Sequence, residues 1–321
     1  MKLKTTMCFL GIWVFLLTMS TQVCFSATFD QYVYLYATTG WDYSSNPASK
    51  PSGSAGAAIP GHGGAAYSQN AKAAVRVNPQ GPFDIQGMYE YYQIFNMARP
   101  NSLYDSLMHT FTLRPSYLFG STQISAPFIF NLTDVQSDKY SNSYVLMPTV
   151  FHRFTQEWGL EVAMNLARQY ASAPVSIGEF NRSGRAIGFL AGLYYYFPAD
   201  KGYIQARFGY DNFNATGSNN DGSKIVMMLN ALYQPHPRIK LNPFISLGIE
   251  PYNNRYTDGI TTQSARNDTI LNIGAIATLN VCKYVDFNVH YYFTHDWSNI
   301  RLYAYDRHMV GGLLNFTYGN P

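Results

Sequence analysis

From Val285 to Phe293 the odd positions are Val285, Phe287, Val289, Tyr291 and Phe293, and the even positions between them are Asp286, Asn288, His290 and Tyr292. After a polar break at Asp296 to Arg307 the alternation resumes, with Val310, Gly312, Leu314, Phe316 and Tyr318 set against Met309, Gly311, Leu313, Asn315 and Thr317. A period of two held over about nine residues is a strand that crosses an apolar layer with water on its other side. This hairpin excludes most folds at once, because the remaining chain repeats its pattern.

Composition separates a membrane barrel from a soluble all-β domain. Charged residues make up 13% of the 321, while aromatics reach 16% with 27 tyrosines. Charge is scarce and tyrosine abundant, and the 47% of apolar residues is spread through short alternating segments; this is how an outer-membrane barrel reads. Lys2 and Lys4, the apolar stretch Cys8 to Leu17 and the approach to Ser26 predict a secretory signal peptide over 1–26, cleaved after Ser26. Two of the three cysteines, Cys8 and Cys24, fall in that leader and leave Cys282 without a disulfide partner. The 22 Lys and Arg, two of them in the leader, balance 19 acids, so no basic stripe exists to hold nucleic acid.

Taken in order, the chain predicts fourteen antiparallel strands, with twelve or sixteen as alternatives, in one barrel domain over 27–321. The first strand covers Gln31 to Trp41, and a Gly/Ala-rich outer loop at 42–69 follows, which either lies over the mouth or folds into the lumen. Links beginning near Asp42, Met97, Asp134, Ser172, Asn214, Asn253 and Asp296 read as long and polar. Those near Gly81, Gly120, Glu157, Pro198, Pro235 and Lys283 are a few residues each. Short turns at one end and long loops at the other place both termini in the periplasm.

Alternation assigns Glu90, Arg114, Glu161, Arg207, Asp211, Lys224, Lys240, Glu250, Asp286 and His290 to the inward face. On the lipid face an Arg or Lys would cost about 2 to 4 kcal/mol near the midplane. These residues either line a mixed-charge pore for small polar solutes or pair with one another in a packed interior. Catalysis would need a Ser and His pair near the outer rim; His109 with Ser106 and His308 with Ser298 are candidates, neither joined to a third orienting residue, and the expectation is no enzyme. His62 among glycines has no metal partners at ligand spacing, and the segment lacks the Lys and helix of a phosphate loop, so no metal or cofactor is expected.

Arg266-Asn267-Asp268, Ser298-Asn299-Ile300 and Tyr303-Ala304-Tyr305-Asp306-Arg307 resemble the closing hairpins of the surface lipoprotein assembly modifiers, a group of bacterial outer-membrane barrels. Gly40-Trp41-Asp42-Tyr43-Ser44-Ser45-Asn46 resembles that group's first outer loop. The resemblance marks Arg266, Asp268, Ser298, Asn299, Tyr303, Tyr305 and Arg307 as a motif loop. Arg301 and Arg307, flanking Tyr303 and Tyr305, either clamp a ligand or anchor the loop to acids such as Asp296 or Asp306. The resemblance implies a barrel component of a surface lipoprotein or polysaccharide export system. Members with that role carry tetratricopeptide repeats ahead of the barrel, whereas here Ala27 to Gln31 lead straight into the first strand. The expected partners are outer-membrane lipid and lipopolysaccharide, the barrel-insertion machinery, and either small solutes or an exported lipoprotein or polysaccharide.

Overall fold

The computed structural model describes residues 32–46, 63–97, 101, 105–135, 138–172, 181–257, 262–301 and 303–319. The expected signal peptide and residues 47–62 of the first outer loop lie outside them. The described chain is built from β1 (Val33–Ser44), β2 (Gly64–Arg76), β3 (Phe83–Asn96), β4 (Ser106–Phe119), β5 (Thr122–Ser125 and Phe128–Val135), β6 (Asp138–Leu146 and Thr149–Arg153) and β7 (Trp158–Ala171). β8 (Gly184–Tyr196), β9 (Gly202–Ala215), β10 (Gly222–His236), β11 (Ile239–Thr257), β12 (Thr262–Cys282), β13 (Val285–Ser298) and β14 (Tyr305–Tyr318) complete it. Each strand pairs antiparallel with its sequence neighbours, and β1 pairs with β14 from Leu35↔Tyr318 to Ser44↔Met309. The sheet therefore closes on itself as fourteen strands with no free edge, which is what a lipid surround demands of a β wall.

The period-two pattern sorts the side chains. Val162, Met164, Ile187, Phe189, Leu229 and Val289 are exposed on the outer surface. Thr38, Ser68, Gln205, Asp268, His290 and Asn315 are buried on the inner one. Water inside and lipid outside explain the inversion relative to a soluble protein.

Several boundaries differ from the sequence reading, and the polar break at Asp296 to Arg307 is one of them, since β13 runs to Ser298 and β14 starts at Tyr305. Asp42 to Ser44 continue β1 and Gly64 to Gln69 begin β2, so the outer loop is shorter than 42–69. The links expected near Asp134 and Asn253 are largely strand, since β5 reaches Val135 before β6 starts at Asp138, and β11 reaches Thr257 before β12 starts at Thr262. Hairpins that rise beyond the lipid need no apolar face, so their strands lose apolar alternation, and both of these ladders pass through register shifts, at Thr133/Asp134 and between Pro251 and Thr257.

β5 and β6 each break at a proline. Pro115 of β4, Pro127 and Pro148 stand at successive positions around the wall. Their carbonyls accept from the N–H groups of Ala126 (3.1 Å), Met147 (3.0 Å) and Met164 (3.0 Å). Each proline lacks the N–H that would return a bond, so three adjacent junctions are thinned along one diagonal. At the turn between β4 and β5, Gly120 adopts φ +57°, the left-handed region that glycine enters without steric cost.

Candidate functional site: the lumen

All ten charged residues assigned inward by alternation stand on the inner face. Most are engaged with neighbours along the wall. Lys72 Nζ lies 3.2 Å from Glu90 Oε2, and Lys224 Nζ 2.5 Å from Glu250 Oε1; each pair joins directly opposed or adjacent strands. Asp286 accepts from Asn280 Nδ2 (3.0 Å) at the turn end. Lys240 is exposed near the same end, and Arg114 lies on the inner face of β4 opposite Gln86.

The other contacts reach over an intervening strand, and each does so at a glycine. Gly192 of β8 is opposite both Glu161 of β7 and Arg207 of β9. With no side chain between them, Arg207 Nη2 comes within 3.1 Å of Glu161 Oε2 and donates to the Tyr194 hydroxyl (3.0 Å), which in turn donates to Glu161. Gln205, 2% exposed, accepts from Arg207 Nη2 (2.9 Å) when its amide is turned to donate to Asn230 Oδ1 (2.8 Å). One turn outward, Gly188 is opposite Asn165 and Asp211, and Asn165 Nδ2 donates to Asp211 Oδ1 (2.8 Å) across it.

The same arrangement carries a band of contacts across the closing seam. Phe244 of β11 and Tyr292 of β13 pack with ring centroids 5.7 Å apart over Gly274 of β12. Tyr292 stacks on His290 at 4.9 Å. His290 Nε2 lies 2.8 Å from Asp42 Oδ1, passing over Gly311 of β14, and Asp42 Oδ2 accepts from Ser68 Oγ (3.0 Å). The band thus runs from β11 to β2. Aromatic stacking and the approach of His290 to the Asp42 carboxylate supply directed contacts where neighbouring strands alone would leave the seam to its backbone ladder.

At the outer end the motif residues form a clasp. The guanidinium of Arg266 lies 3.5 Å from the ring centroid of Tyr303 and 4.1 Å from that of Tyr252, while its Nη2 lies 2.6 Å from Asp268 Oδ2. The same nitrogen donates to the Tyr252 hydroxyl (2.7 Å). Asn299 Nδ2 donates to the Ala265 carbonyl (2.8 Å), and its Oδ1 accepts from the Asn267 N–H (2.7 Å). Ser298 Oγ accepts from the Ile300 N–H (3.1 Å), and Ile300 is 2% exposed. Tyr303 also meets Tyr256 edge-on at 5.6 Å. These contacts fold the β13–β14 loop back onto the start of β12.

The expected anchors of that loop are therefore replaced. Arg266 holds Tyr303 in place of Arg301 or Arg307. Asp306 is engaged by His295 Nδ1 on the outer face, and Arg307 lies inward on β14 opposite Thr294, beyond Tyr305 opposite Asp296. The candidate Ser and His pairs also separate. His109 and His308 face outward, their Nδ1 atoms 2.8 Å and 2.9 Å from the hydroxyls of Tyr89 and Tyr291, whereas Ser106 and Ser298 belong to the inner face. Sequence reasoning passed over Tyr194, Gln205, Asp42 and Tyr252. Their inward parity was readable, but their partners lie on other strands and emerge only with the register.

No protein-family profile matches the sequence, and no curated protein sequence matches it. Solved structures do resemble the fold. The outer membrane channel DcaP of Acinetobacter baumannii aligns with a TM-score of 0.51 at 9% identity, over 89% of this chain and 96% of that one. The CymD monoaromatic hydrocarbon channel aligns at 0.50 and 8%, over 90% of this chain and 88% of that one. A bacterial polysaccharide outer membrane secretin aligns at 0.48 and 8%, over 91% and 99%, and adds no weight. At these identities the likeness is one of fold: a closed antiparallel barrel of the outer-membrane type.

Proposed function

We propose that the chain resides in the bacterial outer membrane, both termini periplasmic, as a channel for small polar solutes. The observation that carries the reading is the direction of the inner-face contacts. Lys72–Glu90, Lys224–Glu250, Arg207–Glu161 and His290–Asp42 run along the wall, one or two strands apart, and the extensive strand contacts are all between ring neighbours. Charges satisfied within the wall leave the axis to water, and a fourteen-strand barrel is wide enough to hold it. The names of the two fold neighbours at or above a TM-score of one half, both channels, agree with this reading. Purified protein in planar bilayers gives stepwise conductance, and removal of residues 47–62, which leaves β1 and β2 whole, preserves or raises it. A bilayer that stays silent with both forms refutes the proposal.

The likeness of the β13–β14 hairpin to the surface lipoprotein assembly modifiers supports a second reading, a barrel component of lipoprotein or polysaccharide export. The clasp around Arg266 favours it, because a fixed outer loop offers a docking surface. Surface display of a neighbouring gene's lipoprotein, unchanged when the barrel is deleted, would count against it.

A further inference from the structure

Arg168 and Arg185 face outward, by the same parity that exposes Met164 on β7 and Phe189 on β8, and they are paired directly in the ladder. Like charges at opposed positions stand about 5 Å apart at Cβ and repel, a cost that a group of opposite charge between them would remove. Among the described residues neither arginine makes an ion pair, and both side chains are exposed.

Their height on the wall is specific. The outward positions of β7 run Trp158, Leu160, Val162, Met164, Leu166 and then Arg168. Those of β8 run Tyr195, Leu193, Ala191, Phe189, Ile187 and then Arg185. From Trp158 to Arg168, ten residues at about 3.3 Å each and a tilt of about 40° span roughly 25 Å, the height of the apolar band of such barrels. The arginines thus stand where hydrocarbon gives way to headgroups, at the end opposite the short turns. Arg182, exposed three residues before Arg185, lies beside them, its Nη1 donating at 3.5 Å to the hydroxyl of Tyr140 near the start of β6. The Arg168 guanidinium lies 5.0 Å from the Tyr170 ring centroid, which holds it against the wall.

Resting on the membrane-barrel reading, we propose that Arg168 and Arg185, with Arg182 beside them, bind a lipid-borne phosphate of the outer leaflet, as carried by lipid A. Guanidinium forks match phosphate oxygens, and a phosphate between the two positions turns their repulsion into attraction.

The test uses the full-length folded barrel in detergent, with native mass spectrometry of bound bisphosphorylated lipid A, dephosphorylated lipid A and inorganic phosphate. Wild type binds the phosphorylated lipid at least about tenfold more tightly than the dephosphorylated one, and R168Q/R185Q loses that preference, since two charge-assisted hydrogen bonds are worth at least that factor. R168K/R185K, which keeps the charge without the fork, falls between them. Equal binding of the two lipids by wild type, or an unchanged preference in R168Q/R185Q, overturns the proposal. Competition by an equal concentration of inorganic phosphate overturns the lipid source. Heat-modifiable migration on a gel confirms that each variant is folded, and retention of the protein in urea-washed outer membranes tests the barrel reading separately.

Discussion

Gly311 and Gly312 are adjacent on β14 and face opposite ways, which makes them a matched pair for testing the inner-face bridges. A Cβ on Gly311 would stand 2.7 Å from His290 Cε1 and 2.7 Å from the Trp41 carbonyl oxygen, and closer still to Asp42 Oδ1. A Cβ on Gly312 would meet Phe287 Cζ at 3.5 Å, an ordinary contact. Gly311→Ala therefore drives Asp42 and His290 apart. The lost contact with the Asp42 carboxylate costs about 1.5 to 3 kcal/mol, and the forced displacement adds about 1 to 3 kcal/mol. The stiffer unfolded chain returns about 0.4 to 1 kcal/mol. The net destabilisation is about 1.5 to 5.5 kcal/mol, whereas Gly312→Ala, which keeps only the unfolded-chain contribution, changes stability by about 1 kcal/mol or less, in the stabilising direction. Urea-dependent folding into lipid vesicles, followed by tryptophan fluorescence, measures both. If the clash is the cause, His290→Ala in the Gly311→Ala background costs much less than the sum of the single changes. Equal stabilities for the two alanine variants would refute the idea that glycine here serves as clearance for a bridge.

Two further perturbations probe other parts of the wall. Met227, outward on β10, and Met228, inward beside it, divide the same way: Met227→Arg lowers folding stability by about 2 to 4 kcal/mol in vesicles, and Met228→Arg by a small fraction of that. Arg266→Lys keeps the charge beside Asp268 but gives up the planar stack between Tyr252 and Tyr303. Limited proteolysis then cuts the 299–304 loop several times faster while the heat-modifiable barrel persists.

Where one face meets lipid and the other water, the sequence could be read almost residue by residue. The strand number follows from that contrast, as does the inward placement of Glu161, Arg207 and Asp286. The reading weakened where the contrast fades. Asn253 to Arg255 are exposed, and their polarity imitates a loop although β11 continues past them through two register shifts. Pro127 and Pro148 sit within runs that alternate correctly, so parity could not show that the ladder is interrupted there. The bridges were hidden for another reason. That Gly188 is flanked by Asn165 and Asp211 is a property of two registers at once, and no spacing within one strand encodes it. The Arg266 motif was visible as a resemblance, yet its structural work depends on Tyr252, which lies outside the motif.

A closed ring joined only between nearest neighbours behaves like a hoop of hinged staves: each joint can open or close a little, so the circle can flatten to an oval without breaking a bond. Contacts that skip a stave act as braces, because they fix the angle at the joint they cross. This barrel is braced over Gly159, where Phe151 of β6 meets Tyr194 of β8, over Gly188 and Gly192, over Gly274 and over Gly311. The arc from β4 to β6 instead carries the three prolines. Flattening under lateral membrane pressure would thus be taken up on that arc, and the cross-section elsewhere would keep its curvature.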